Sequence, residues 1–207
     1  QDNGKVKMVG TEGHRLAVVK RDLGGSSKGE KGSYLIPKKT LAELVKLVED
    51  EEAIFSFSAK NNHFAFIQGD QVIVSRKIDG KFPNYLQVIP SDNKLQVQIN
   101  RGMFQQALKR VSLLADEKSK MVRFDIKAGS IVLTSDTTEL GEAREEVATS
   151  YSGEAVSVGL NAKYVLDVLN VMDDEEIILN LKDDKSSCLI TSNGDKDYQS
   201  IVMPMRL

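Results

Sequence analysis

Apolar residues recur at one helical spacing in three separate stretches of this chain. In "IPKKTLAELVKLVEDEE" they fall at Leu41, Leu44, Val45 and Val48. In "INRGMFQQALKRVSLL" they fall at Phe104, Ala107, Leu108 and Val111, and in "LNAKYVLDVLNVM" at Val165, Val168, Leu169 and Met172. Each set steps i, i+3, i+4, i+7, which puts four side chains on one face of an α-helix. Asn100 and Asn161 stand where a side-chain oxygen can cap the first unpaired N–H groups, and Pro37 suits an early helical position.

Between the helices the pattern changes to short alternating runs. Each helix follows a strand-like run: "SYLIP", "LQVQIN" or "VSVGLN". Behind each come strand-length segments of four to seven residues, broken at turns such as "AKNN", "KAGS", "KDDK" and "SNGD". The matching positions Leu41, Phe104 and Val165 lie 63 and 61 residues apart. A fixed period with one order of elements (strand, helix, antiparallel meander) predicts a duplicated unit, although chance spacing among short elements is the competing reading. Two units would make one domain, with two helices on one face of paired sheets, so the fold class is α+β. Three helices leave one unit without a partner. The opening "KVKMVGTEGHRLAVVKRD" reads as the closing strands of an earlier unit, and there is no Met at position 1. The chain is therefore expected to begin part-way through a domain. Polar residues and Pro90 in "VIPSDNK" suggest the boundary, giving domains at 1–92 and 93–207.

Charge and cysteine content narrow the function. Lys and Arg number 28 against 30 Asp and Glu, for a net charge of -2. This argues against strong non-specific binding to nucleic acid through net charge, while a local basic face stays open. The single Cys188 cannot form an internal disulfide, and no apolar run reaches membrane-spanning length, so a cytoplasmic setting is expected. His14 and His63 are the only histidines and neither sits at metal-ligand spacing. Thr11, Glu12 and His14 cluster in "VGTEGHRL", which allows a hydrolase reading, but Gly10 and Gly13 fit a strand-to-strand turn better. The acidic stretches "VEDEEA" and "VMDDEE" read as solvated helix ends. The residues point away from an enzyme, and no cofactor or metal is expected.

Several long blocks in order then carry a resemblance: "GTEGHRLAVVK", "KIDGKFPNYLQVIP", "SLLADEKSKMVRF", "YSGEAVSVGLNAKYVLDVLN" and "IVMPMRL". Together they resemble the bacterial sliding clamp family, the β subunit of DNA polymerase III, from about Lys5 to Leu207. The resemblance implies the DNA-clamp fold and the latter part of a three-domain subunit, with the first domain and the start of the second absent. It implies a non-catalytic processivity factor, a head-to-tail homodimeric ring around duplex DNA with helices lining the hole. Its implied partners are replicative and other DNA polymerases, the clamp loader, and mismatch-repair and other proteins that carry short motifs of Gln, Leu and Phe. A structural interaction module that does not act on DNA is the alternative.

Site residues follow from the same resemblance. The motif pocket is expected from Thr11, Gly13, His14, Arg15 and Leu16, with Pro83 and Val88 from "FPNYLQV". Asn161 and Tyr164 join from "NAKY", and Ser187 from "KSS". The final run adds Ile201, Val202, Met203, Pro204, Met205 and Arg206. Leu16, Val88, Ile201 and Met203 are expected to form an apolar floor. Gln87 stands where the family often has a basic residue, and Lys185 where an apolar one can occur. On the helices, Lys38, Lys39, Lys46, Arg101, Lys109, Arg110 and Lys163 are candidates to face DNA, although ordinary solvated helix faces would look the same, since Glu43, Glu49 and Asp167 share them. Leu113 and Leu114 match the family's dimer contact, and Glu139, Glu142, Glu145 and Glu146 lie on an expected edge strand. Because the neighbour's first-domain surface has no counterpart here, the chain as given is expected to stay mostly monomeric. Light scattering at micromolar concentration checks this, and a stable two-fold ring would overturn it.

Overall fold

The computed structural model describes residues 4–23, 32–48, 54–137 and 141–207. They fall into two compact units, one holding 32–84 and the other 5–23 together with 85–207. The chain opens with a hairpin of β1 (Lys5–Thr11) and β2 (Arg15–Asp22). The first unit then takes α1 (Lys38–Leu47) and an antiparallel meander of β3 (Ser56–Lys60), β4 (His63–Gln68) and β5 (Gln71–Arg76). The second unit continues with β6 (Leu95–Asn100), α2 (Arg101–Val111), β7 (Met121–Lys127), β8 (Ser130–Thr137) and β9 (Gly141–Ala148). It closes with β10 (Val156–Asn161), α3 (Ala162–Leu169), β11 (Glu176–Leu181), β12 (Cys188–Ser192) and β13 (Tyr198–Val202).

The repeat is real in the second unit, and its halves exchange strands. β6 leads the first half but pairs with β11 of the second, and β10 leads the second half but pairs with β7 of the first. The result is a four-stranded sheet, β10-β7-β8-β9, and a six-stranded sheet, β1-β2-β13-β12-β11-β6. Between them lies one core. α2 contributes Phe104, Ala107, Leu108 and Val111, and α3 contributes Ala162, Val165, Val168 and Leu169. These are the expected stripes, and Met172 is buried just past α3. Removing each large apolar side chain from water stabilises the fold by roughly 1.5–3 kcal/mol. Both asparagine caps form: Asn100 Oδ1 accepts from Met103 N at 2.9 Å and Asn161 Oδ1 from Tyr164 N at 3.2 Å.

The first unit departs from expectation in two ways. "SYLIP" forms no strand; residues 33–37 carry no regular structure, and among the described residues no strand pairs with them. A strand-like pattern becomes a strand only where a neighbouring backbone satisfies its N–H and C=O groups. The stripe of α1 is also rotated. Val45 is 74% exposed, while Leu44, Leu47 and Val48 line a small cavity with Phe55 and Phe66. Leu41, Leu44 and Leu47 step by three, which leaves Val45 about 100° round the helix from Leu44. Pro37 is the N-cap residue of α1 rather than a position inside it. Glu49, expected on this helix, lies outside the described residues.

Both caps are open to mutation. Asn100→Ala is expected to cost about 1 kcal/mol of stability. Asn161→Ala should cost more, because its amide donates to the Ser119 carbonyl at 2.8 Å, whereas the Asn100 amide reaches Glu175 Oε1 only at 3.5 Å. Urea unfolding of the two variants checks the order.

Candidate functional site

The hairpin β1–β2 lies beside the last strand of the chain. β13 pairs antiparallel with β2, setting Ile201 opposite Leu16 and Val202 opposite Arg15, and it also pairs with β12, setting Ile201 opposite Leu189. Leu16, Ile201 and Leu189 therefore form a row across three strands on one face of the sheet. They bury with Val18, and Val9, Tyr85 and Ile89 pack against them. Neighbouring residues on a strand point to opposite faces, so Val202 turns into the main core instead. Of the expected floor, Leu16 and Ile201 are thus deep (4% and 1% exposed), whereas Val88 and Met203 are 39% and 37% exposed. Val202, expected in the pocket, is a core residue.

The turn between β1 and β2 holds itself. Thr11 Oγ1 donates to the Arg15 carbonyl at 2.8 Å and accepts from Gly13 N at 3.3 Å. Gly13 has φ of 96°, a left-handed backbone that favours glycine. Glu12 binds Arg15 Nε at 2.8 Å. Thr11 and Glu12 are thus spent on shaping the turn, which removes two members of the hydrolase reading. His14 is exposed, and its carbonyl accepts from Met203 N at 2.9 Å.

Arg15 reaches the other way, to α3. Its Nη1 meets Asp167 Oδ2 at 2.5 Å, and its guanidinium carbon sits 4.4 Å from the centre of the Tyr164 ring. Burial alone would lower the Arg15 pKa, but the hydrogen bond to Asp167 and the charge of Glu12 outweigh it and raise the value. Arg15 is therefore a fixed strut between hairpin and helix, and both of its carboxylate partners are already in place. In the sequence Asp167 is only an acidic residue on a helix face. It lies 152 positions from Arg15, and no local signal links the two. Asn161 is likewise held in place, its Oδ1 by the cap and one amide N–H by the Ser119 carbonyl.

After β13 the chain leaves the six-stranded sheet and touches the other one. Met205 forms an isolated antiparallel bridge to Gly159 of β10, with Met205 N donating to the Gly159 carbonyl at 2.8 Å. Pro204 and Met205 are half-buried, and Arg206 is exposed. Val88 ends a 3-10 turn, Tyr85–Val88, and its carbonyl accepts from Ser187 Oγ at 3.3 Å. Leu86 on the same turn is 62% exposed, an apolar surface residue that no local pattern in the sequence marks. Every expected pocket residue but Pro83 lies in the second unit, Pro83 being an exposed residue of the first.

The helix cations divide. Lys38, Lys39, Lys109 and Lys163 are exposed. Lys46 is paired with Glu43 at 3.0 Å. Arg101, expected to face phosphates, instead donates to the carbonyls of Asp174 at 2.7 Å and Leu169 at 3.2 Å. Arg110 forms a two-pronged pair with Glu145, at 2.6 and 3.0 Å. Glu145, Glu146 and Glu142 lie on β9, which is an edge strand of its sheet. Glu146 accepts from Ser130 Oγ at 2.6 Å and pairs with Lys127 at 3.2 Å. Leu113 and Leu114 occupy a 3-10 turn after α2, with Leu113 76% exposed. Glu139 lies outside the described residues.

Comparison with known proteins gives two family matches that together cover nearly the whole chain. Residues 86–206 match the C-terminal domain of the DNA polymerase III beta subunit, and residues 1–84 match its central domain. A beta sliding clamp from Haemophilus influenzae is 36% identical over 202 residues, covering 98% of this chain and 55% of that protein. A crystal structure of the DNA polymerase III subunit beta from Pseudomonas aeruginosa superposes with a TM-score of 0.94 at 31% identity, covering 100% of this chain and 56% of that one. A second Pseudomonas aeruginosa clamp structure, bound to griselimycin, has a TM-score of 0.93 at 31% identity with the same coverage. The chain spans about half the length of these relatives.

The Arg110–Glu145 pair has a pH signature. The hydrogen bond from Arg110 holds the Glu145 carboxyl below its ordinary value. A lowered folded pKa stabilises above the unfolded value, and the contribution is lost as pH falls through the folded one. An NMR titration should therefore find Glu145 titrating below the usual glutamate range, and Arg110→Gln should return it to that range.

Proposed function

The chain belongs to the DNA polymerase III beta subunit family, and on that premise we propose that it is part of a clamp that tethers replication proteins to duplex DNA. In this reading the whole-length protein closes as a ring of two copies and acts in the cytoplasm, without catalysis or cofactor. It holds DNA by topology, with no preference for sequence. Residues 1–84 then correspond to the second clamp domain and residues 86–206 to the third. Leu113, Leu114 and the β9 glutamates belong to the contact with the next subunit.

One observation carries the docking part of this proposal. The hairpin turn and the C-terminal run are far apart in sequence, yet β2 and β13 are paired, and Met203 is tied to His14. That arrangement supports a groove beside the buried row of Leu16 and Ile201, with exposed apolar side chains supplied by Met203 just after β13 and by Leu86 and Val88 on the turn whose Tyr85 packs against the row. Such a surface suits short motifs with leucine and aromatic anchors. Each anchor gains roughly 1.5–3 kcal/mol on burial. After the ordering cost of a flexible peptide, micromolar affinity is expected, on the order of 8 kcal/mol. Methionine adapts its shape at little cost, which fits one groove serving polymerases, the clamp loader and repair proteins.

A fluorescent peptide containing Gln, Leu and Phe tests this. It is expected to bind with micromolar affinity, and Met203→Asp should weaken it by roughly 10–100-fold, the worth of one buried anchor contact. Met203 is the better probe than Leu16, where an introduced carboxylate would be buried and would unsettle the fold. No binding by the folded wild-type chain would overturn the docking reading.

A further inference from the structure

We propose that Gly159 is a positioning residue for the motif groove: its missing side chain seats the C-terminal segment and thereby sets where Met203 stands. The inference rests on the docking role proposed above. It starts from a glycine in an unusual place. Gly159 lies inside β10, paired with Arg123 of β7, where a glycine weakens a strand and contributes no packing. Such a glycine is explained when another backbone approaches closely, and here one does. A Cβ built on Gly159 would lie 3.0 Å from the Met205 carbonyl oxygen, 3.1 Å from Leu207 Cδ2 and 3.4 Å from Met121 Sδ. The nearest of these is backbone, which cannot rotate away as the end of a side chain can.

The segment is pinned twice within three residues. Met203 N donates to His14 of the hairpin turn at 2.9 Å, and Met205 N donates to Gly159 at 2.8 Å. Pro204 between them has no N–H to satisfy and a fixed φ, so it stiffens the span rather than loosening it. One anchor belongs to the six-stranded sheet and the other to the four-stranded sheet. Moving the second anchor moves Met205, and a stiff Pro204 transmits that shift to Met203. Gly159 touches no ligand in this scheme and acts through the segment it holds.

The test compares wild type, Gly159→Ala and Gly159→Val by two readouts on the intact chain. The first is hydrogen exchange of the Met205 amide, which reports the anchor itself. The second is affinity for the Gln-, Leu- and Phe-containing peptide. Alanine is expected to speed exchange modestly and weaken the peptide slightly. Valine should expose the amide and weaken binding by about tenfold, the worth of one lost backbone hydrogen bond and its consequences for the groove. Trimming the second clash with Leu207→Ala in the Gly159→Ala background should restore part of the affinity, a rescue that general loss of stability would not give. Far-UV circular dichroism and thermal unfolding verify that each variant is folded. If valine also unfolds the chain, the alanine variant and its rescue decide. Unchanged Met205 exchange in the valine variant would overturn the anchor. Lost protection with wild-type peptide affinity would overturn the positioning role. Failure of the wild-type chain to bind peptide would overturn the docking role and this use of Gly159 with it, while the exchange result would still judge the anchor alone.

Discussion

The exchange of leading strands between the two repeats is the constraint on which the second unit depends. β6 needs β11 and β10 needs β7, so neither half can satisfy its own sheet. A half on its own would present an unpaired edge and one bare helix stripe, both of which cost free energy in water. Exchange settles both at once. It closes two sheets around α2 and α3 and sets Phe104 near Phe124, ring centres 6.0 Å apart, in a single core. The cap geometry follows, because Asn100 and Asn161 are the last residues of the exchanged strands and the first to turn into the helices.

Once the six-stranded sheet exists, β13 becomes its working strand. One face sends Val202 into the main core beside Cys188, whose thiol burial pushes up to about 12, leaving it inert. The other face sends Ile201 against Leu16 and Leu189. The hairpin completes that second face and Arg15 ties its turn to α3 through Asp167 and Tyr164. The proposed groove is therefore not an added feature. It forms where a sheet built for stability ends and its last residues run on.

What was legible in the sequence was local. The stripes of α2 and α3, their asparagine caps and the turns all act over a few residues, and they stand as read. Pairing is a property of two distant segments, so the alternating pattern of "LQVQIN" revealed a strand but not that β11 would be its neighbour. The same limit explains "SYLIP", which has the pattern without a partner, and Val45, whose apolar character says nothing about which side of α1 meets the meander. For the site, the family resemblance pointed to stretches that include β2 and β13, which the structure pairs. It did not reveal that Val202 faces the core or that Arg15 is paired with carboxylates on two elements. A glycine inside "VSVGLN" was the one local sign of the bridge to Met205.

The charges follow a division of labour that bears on how such a surface could attract DNA without gripping it. The arginines of the second unit's helices and hairpin turn are committed to fixed geometry. Arg101 binds carbonyls at the end of α3 and just beyond it, Arg110 pairs with Glu145 and Arg15 braces the turn. A planar guanidinium makes several directed bonds at once, and that suits structural work. Lys38, Lys39, Lys109 and Lys163 remain in solvent. An ammonium on a flexible stem is a strongly hydrated point charge, and its pull on a phosphate is long-ranged, undirected and weakened by salt. A sliding ring, as proposed here, needs attraction of that kind, because a forked arginine contact would have to be broken at every step along the duplex. Arg15, Arg101 and Arg110 are held by carboxylates or carbonyls, while Lys38, Lys39, Lys109 and Lys163 face the solvent.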